Sequence, residues 1–238
     1  MSLATSIRHN ERMPSRPAAS RKSPPNSPPK FAPILIVAAA VIAMAILWMF
    51  RPQANVTNLD SHGSAIIAFG DSLTAGYGAG AGEDYPSRLA ERISTAVINA
   101  GVSGDTTESA AARLDDALAQ NPRVVIVGLG GNDFLRSVPI ATTETNLRAI
   151  IRRIQTGGAM VVLLGFKFPS VTANYEKMYA RVAKDEGCFL IAGTLAGILT
   201  DPKLKSDEIH PNARGYDLMA ERIAGPLRKL LKRADAKR

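Results

Sequence analysis

The sequence predicts an α/β domain with a parallel five-stranded sheet and helices on both faces. Three observations point there. Five short apolar runs rich in β-branched residues recur from Ala65 onward: "AIIAF" (65–69), "AVIN" (96–99), "RVVIVG" (123–128), "MVVLL" (160–164) and "CFLI" (188–191). Such runs read as buried strands. Longer helix-like stretches separate them, and strand–helix alternation is the pattern of a parallel sheet. Finally, the 238 residues allow one domain of ordinary size plus extra segments, and no internal repeat is visible.

Three segments precede the domain. Residues 1–30 hold six basic groups and one acid, so they carry +5 of the chain's net +8. A basic chain can signal nucleic-acid binding. An excess concentrated in one tail reads instead as a topology signal, and no nucleic-acid partner is expected. The tail is rich in proline ("SRKSPPNSPPK"), cannot bury a core, and is expected to be disordered. Residues 31–50, "FAPILIVAAAVIAMAILWMF", contain no charge. As a helix they reach about 30 Å, the thickness of a bilayer's hydrocarbon core. A cleaved signal peptide has a shorter apolar core, about 7–15 residues, and a small-x-small site. Here the run ends in Trp48, Met49, Phe50, Arg51 and Pro52, with only "PQA" at 52–54 as a weak site. One transmembrane helix is therefore expected. Arg16, Arg21, Lys22 and Lys30 precede it and only Arg51 follows closely. That asymmetry predicts a cytoplasmic N-terminus and an extracytoplasmic domain. Residues 51–64 read as a polar linker, and 65–238 as the domain.

Within the domain, "DYPSRLAERIS" has Pro86 in its first turn, and "TTESAAARLDDALAQN" opens in capping-box style with Thr and Glu. "TTETNLRAIIRRIQTGG" stops at Gly157–Gly158. "ANYEKMYARVAKDEG" and "NARGYDLMAERIAGPLRKLLKR" complete the helices, with Pro211 suited to start the last. Cys188 is the only cysteine. It excludes an intrachain disulfide or a Cys/His zinc cluster, and among apolar neighbours it reads as a buried thiol.

Parallel sheets bind ligands at the carboxyl ends of their strands, so the residues after each strand matter most. "GDSLTAGYGAG" (70–80) follows the first and places Ser72 among glycines. "NAGVSGDTTE" follows the second, with Gly104 in a loop leading to a helix. "GLGGNDFLR" follows the third and offers the Asn132 amide, and the last loop holds "SDEIHPN" (206–212). Serine is a weak nucleophile and needs a base. His210 suits that role, with Asp207 three residues earlier to orient the imidazole. The Ser72 N–H, the Gly104 N–H and the Asn132 side chain suit an oxyanion hole. His9 and His62 lie in the tail and the linker and do not compete with His210.

"GDSLTAGYG", "GVSGDTT", "GLGGND" and "DEIHPN" resemble, in order, the four blocks of the SGNH (GDSL-type) hydrolases. Within that superfamily the chain most resembles the thioesterase I/lysophospholipase L1-like bacterial esterases. The resemblance implies a three-layer α/β/α flavodoxin-like fold, a Ser72–His210–Asp207 triad and the same oxyanion hole, with no metal or cofactor. The proline-rich tail and anchor depart from the cleaved leader typical of periplasmic members. The loops "FLRSVPIATTETNL" and "GFKFPSVTANY" carry bulky apolar residues suited to an acyl pocket.

Blander readings exist for each residue. Ser72 alone would suit a helix N-cap. Asp71 has no second Asp two residues on, as a phosphatase would. "GYGAGAG" lacks the strict G-x-G-x-x-G form. Asp105 and Asp133 read as structural. No P-loop and no G-x-S-x-G elbow occurs. The expected function is a membrane-anchored serine esterase acting on acyl, aryl or lysophospholipid esters or thioesters, with the anchor holding the site near lipid. The alternatives are an O-acetyl esterase acting on cell-envelope carbohydrate and a non-catalytic tethered binding module.

Overall fold

The computed structural model describes residues 55–166 and 173–238, all within the unit Pro52–Arg238. The expected tail and membrane span lie outside the described residues, as do residues 51–54 of the linker and 167–172 of the loop after the fourth strand. Among the described residues no helix is long and apolar enough to cross a membrane.

Five strands form one sheet: β1 (Ala65–Gly70), β2 (Val97–Gly101), β3 (Pro122–Gly128), β4 (Met160–Gly165) and β5 (Phe189–Ala192). All pairs are parallel, in the order β2-β1-β3-β4-β5. The chain first moves one way, from β1 to β2, then crosses back and moves the other way through β3, β4 and β5. Right-handed crossovers then put the β1–β2 helix on one face and the later ones on the other. β1, β3 and β4 are buried along nearly their whole length, as unbroken apolar runs should be. β2 and β5 differ from the buried strands expected. They are sheet edges, and most of their residues are only half-covered.

The helices are α1 (Ser72–Ala75), α2 (Tyr85–Ile93), α3 (Thr107–Ala112), α4 (Leu114–Leu118), α5 (Gly131–Leu135), α6 (Ile140–Thr156), α7 (Ala173–Asp185) and α8 (Ala213–Asp235). α2 packs on α8, and α3, α6 and α7 pack in series. Asp84 caps α2 by accepting the Ser87 N–H at 2.9 Å. Asn212, not Pro211, caps α8, accepting from the N–H groups of Arg214 and Gly215. The helix expected over 106–121 is two short ones broken at Arg113. Its capping box pairs Thr106 with Ser109 rather than with Glu108.

Residues 55–64, read as linker, lie against the domain. Val56 is buried, the Thr57 N–H donates to the Gly187 carbonyl, and the Ser64 N–H donates to the Asn121 carbonyl. The Asn58 amide donates to the Gln155 and Ala159 carbonyls. The segment thus crosses the turns that feed β5, β4 and β3, at the end of the sheet where strands begin.

Candidate active site

The opposite end of the sheet carries the functional groups. Gly70 ends β1 in register with Gly101 of β2 and Gly128 of β3. α1 lies directly on these ends. A Cβ at Gly101 would stand 2.2 Å from the Ala75 nitrogen, and one at Gly70 would stand 2.2 Å from the Thr74 hydroxyl. Only glycine lets the turn close this tightly. Asp71 caps the turn by accepting the Leu73 N–H at 3.0 Å. Ser72 is therefore the first helical residue rather than the cap, and its side chain is free for other work.

His210 Nε2 lies 3.0 Å from Ser72 Oγ. His210 Nδ1 lies 2.8 Å from Asp207 Oδ2 and 3.0 Å from Oδ1. Because the carboxylate holds Nδ1–H, the Nε2 lone pair faces the hydroxyl. Asp207 Oδ1 also accepts the Ile209 and His210 N–H groups, at 2.9 and 2.8 Å. Burial raises the Asp207 pKa, but these N–H groups and the imidazole outweigh it, and the carboxyl stays below its ordinary range. Only 12% of the His210 side chain is exposed.

Of the three expected oxyanion donors, Ser72 and Asn132 line the cavity beside His210, and Gly104 lies in the loop that follows β2. Neither the Ser72 N–H nor the Gly104 N–H has an acceptor among the described residues. Gly104 has φ +86°, a left-handed backbone that suits glycine. Arg136 holds its carbonyl at 2.8 Å. Asn132 Nδ2 spends one hydrogen on the Asp105 carbonyl, at 2.9 Å, and its nearest second acceptor is Asp71 Oδ2 at 3.5 Å. That contact is too long to hold the second hydrogen.

Asp71 is only 2% exposed. Burial, helped by the nearby Asp105 and Asp133 charges and opposed by the Leu73 N–H, raises its pKa to about 7. Asp105 and Asp133 bind neighbouring loops. Asp133 accepts from the Thr107 N–H and hydroxyl at 2.9 and 2.5 Å. Asp105 accepts from Arg113 Nε at 2.6 Å. The same guanidinium donates to the Ala100 carbonyl at 3.0 Å and the Gly70 carbonyl at 2.9 Å, and lies over the Phe69 ring.

Sequence reasoning missed three residues here: Arg113, Tyr77 and Tyr216. The Tyr77 ring stands 4.5 Å from that of His210. The Tyr216 hydroxyl donates to the Tyr77 carbonyl at 2.8 Å, tying the first loop to the last helix. The glycine-rich setting of Tyr77 is a faint signal. Arg113 and Tyr216 bind backbone carbonyls, which no side-chain pattern reveals.

A cavity of about 350 Å³ opens beside Ser72 and His210, with Leu73, Phe134, Leu135, Leu199 and Ile209 among its walls. Phe134 and Leu135 belong to one of the two loops expected to form an acyl pocket. Of the other expected loop, 165–175, residues 167–172 lie outside the described residues. Among the described residues no group of three or more His, Cys, Asp or Glu side chains is placed to hold a metal ion.

Residues 68–218 match the GDSL-like lipase/acylhydrolase family. The thioesterase 1/protease 1/lysophospholipase L1 of Escherichia coli K12 is 33% identical over 198 residues, covering 78% of this chain and 90% of that protein. The arylesterase of Vibrio mimicus is 33% identical over 181 residues, covering 70% and 89%. The crystal structure of the psychrotrophic esterase EstA from Pseudoalteromonas sp., inhibited by monoethylphosphonate, superposes with a TM-score of 0.65 at 29% identity, covering 71% and 98%.

Proposed function

The chain belongs to the GDSL-like lipase/acylhydrolase family, and is an ester-bond hydrolase of that type; from that premise we propose that it cleaves acyl esters or thioesters through an acyl-enzyme on Ser72. One observation carries the reading: the continuous Ser72–His210–Asp207 hydrogen-bond chain at the mouth of an apolar cavity.

In the proposed reaction Ser72 Oγ attacks the substrate carbonyl while its proton passes to His210 Nε2. The carbonyl oxygen becomes an oxyanion, met by the Ser72 N–H, the Gly104 N–H and the second Asn132 amide hydrogen. The C–O or C–S bond to the leaving group then breaks, and His210 returns the proton to the departing alcohol or thiol. Water gives a proton to His210 and attacks the acyl-enzyme, and the acid leaves as Ser72 recovers its proton. Asp207 stabilises the imidazolium formed in each half.

The cavity lies at the lower end of the roughly 300–1,000 Å³ common for small-ligand sites. Its apolar walls favour a short to medium acyl chain, aryl ester or lysophospholipid tail. The relatives named above, a thioesterase/lysophospholipase and an arylesterase, support the same range. We also propose that residues 31–50 anchor the chain, with the N-terminus cytoplasmic and the domain on the far side. The test is a panel of p-nitrophenyl esters, an acyl thioester and a lysophospholipid, run on wild type and Ser72→Ala, with fluorophosphonate labelling. Wild type should turn over and label on Ser72, and the variant should do neither. Turnover lost without label on Ser72 would refute the acyl-enzyme. Strong preference for acetate over octanoate would move the substrate to O-acetyl groups on carbohydrate. Wild type and variant equally inactive across the panel would favour a binding module.

A further inference from the structure

We propose that the C-terminal end of α8 is a docking surface for the anionic headgroups of the membrane that tethers the chain, which turns the active site away from that membrane. The inference rests on the anchored reading and on where the charge of the domain lies. Residues 228–238 hold six basic groups, Arg228, Lys229, Lys232, Arg233, Lys237 and Arg238, against one acid, Asp235, a net +5. Residues 52–227 hold sixteen basic groups against nineteen acidic ones, a net −3. The positive excess of the domain is thus gathered in its last eleven residues.

Those residues stand at the end of the sheet where strands begin. Asp235 pairs with Arg123, at the start of β3, at 2.5 Å. Arg228 donates to the Arg92 carbonyl near the end of α2. The buried side chains of this part of α8, Leu227, Leu230 and Ala234, face the core, which leaves Lys229, Lys232 and Lys237 exposed. Among the described residues none of these three lysines has a carboxylate partner. Acids at the same end are largely taken: Asp235 by Arg123, Asp115 by Arg153, and Glu186 by Arg148 and Arg152. Asp60 and Asp116 remain as local opposing charges.

The tether arrives at this same end. Residues 55–64 cross the turns feeding β5, β4 and β3. Only four residues separate the expected span from Asn55, so the five steps from Phe50 to Asn55 reach at most about 18 Å. A charged surface acts over about a Debye length, roughly 10 Å at moderate salt. A short tether and a basic patch at one end suit a lipid surface, whose headgroups are spread in a plane. Ser72 and His210 lie at the other end, across strands of about 20 Å. The site then faces the aqueous space and takes substrates from there, rather than from the lipid beside the anchor.

The full chain carrying Ala236→Cys tests this. Its native Cys188 is buried, with its thiol pushed up to about 12 by that burial, so a maleimide donor dye goes to position 236. The chain is reconstituted into phosphatidylcholine vesicles with and without phosphatidylglycerol, each holding an acceptor-labelled lipid. Energy transfer should rise with phosphatidylglycerol. That rise should vanish at high salt and in the Lys229→Glu/Lys232→Glu/Lys237→Glu variant, while turnover of a soluble ester is unchanged. Equal transfer in neutral and anionic vesicles, or a variant that behaves like its parent, overturns the proposal. A chain that fails to float with neutral vesicles refutes the anchor separately, and phosphatidylglycerol-dependent flotation then decides the fate of the basic surface.

Discussion

Replacing Asp71 by Asn should stabilise the protein in a pH-dependent way. Asp71 is almost wholly buried, and its pKa rises from 3.8 to about 7. The native state therefore holds this proton more tightly than the unfolded chain does. Between about pH 4 and pH 7 the unfolded chain has released the proton while the native chain keeps it, so stability falls as pH rises through that window. Roughly three pH units at 1.36 kcal/mol each give a ceiling of about 4 kcal/mol above pH 7. Asn keeps an oxygen for the Leu73 N–H and carries no charge. It also turns an NH2 group toward the Asn132 amide, now 3.5 Å from Asp71 Oδ2. Two facing donors return part of the gain and push Asn132 aside. The assay is urea unfolding of both proteins from pH 4.5 to 8.5. Subtracting the curves cancels distant groups that titrate alike in both. The variant's advantage should grow with pH and level off above 7, while its kcat falls. A difference that stays flat across this range, or that shrinks as pH rises, would refute the reasoning.

Other outcomes follow from the same geometry. Asn132→Ala removes one of the three proposed oxyanion donors and should lower kcat about 10²–10³-fold, with little change in KM by steady-state kinetics. Arg113→Ala leaves the Asp105 carboxylate buried without its partner and should cost about 3 kcal/mol in urea unfolding. Arg113→Lys should not restore it, because an ammonium cannot reach two carbonyls and a carboxylate as a guanidinium fork does. Asp207 is held below its ordinary range, so its share of stability is present above its unfolded pKa and is lost as pH falls through the folded one. The stability difference between wild type and Asp207→Asn, followed by urea unfolding, should shrink as pH falls through that range. Cys188 should resist thiol reagents in the native state and react on unfolding, followed by mass spectrometry.

Much of this arrangement is legible in the chain because each key group follows a strand. Ser72, Gly104 and Asn132 stand just past β1, β2 and β3, and a parallel sheet gathers those ends by construction. Asp207 and His210 are three apart in a tight turn, so their contact is local. What the sequence hides is of another kind. The runs that become β2 and β5 look like those of β1 and β4, because edge position is set by strand order and not by composition. Arg113 sits in an alternating stretch that reads as one continuous helix. The break there is set by carbonyls of β1 and β2 that have no signature in a string of side chains. Residues 55–64 are polar, yet Val56 and Asn58 find specific partners on turns distant in sequence.

Arg113 has one further consequence. Its five-donor head clamps the last carbonyl of β1, a carbonyl near the end of β2, and the acid beside Gly104. The segment bearing the proposed nucleophile and the segment bearing one proposed oxyanion donor are thereby riveted to one point, and neither can drift without the other. Efforts to broaden substrate range should leave that rivet alone and remodel the rim at Leu135 and Ile209, two exposed side chains of the same cavity wall.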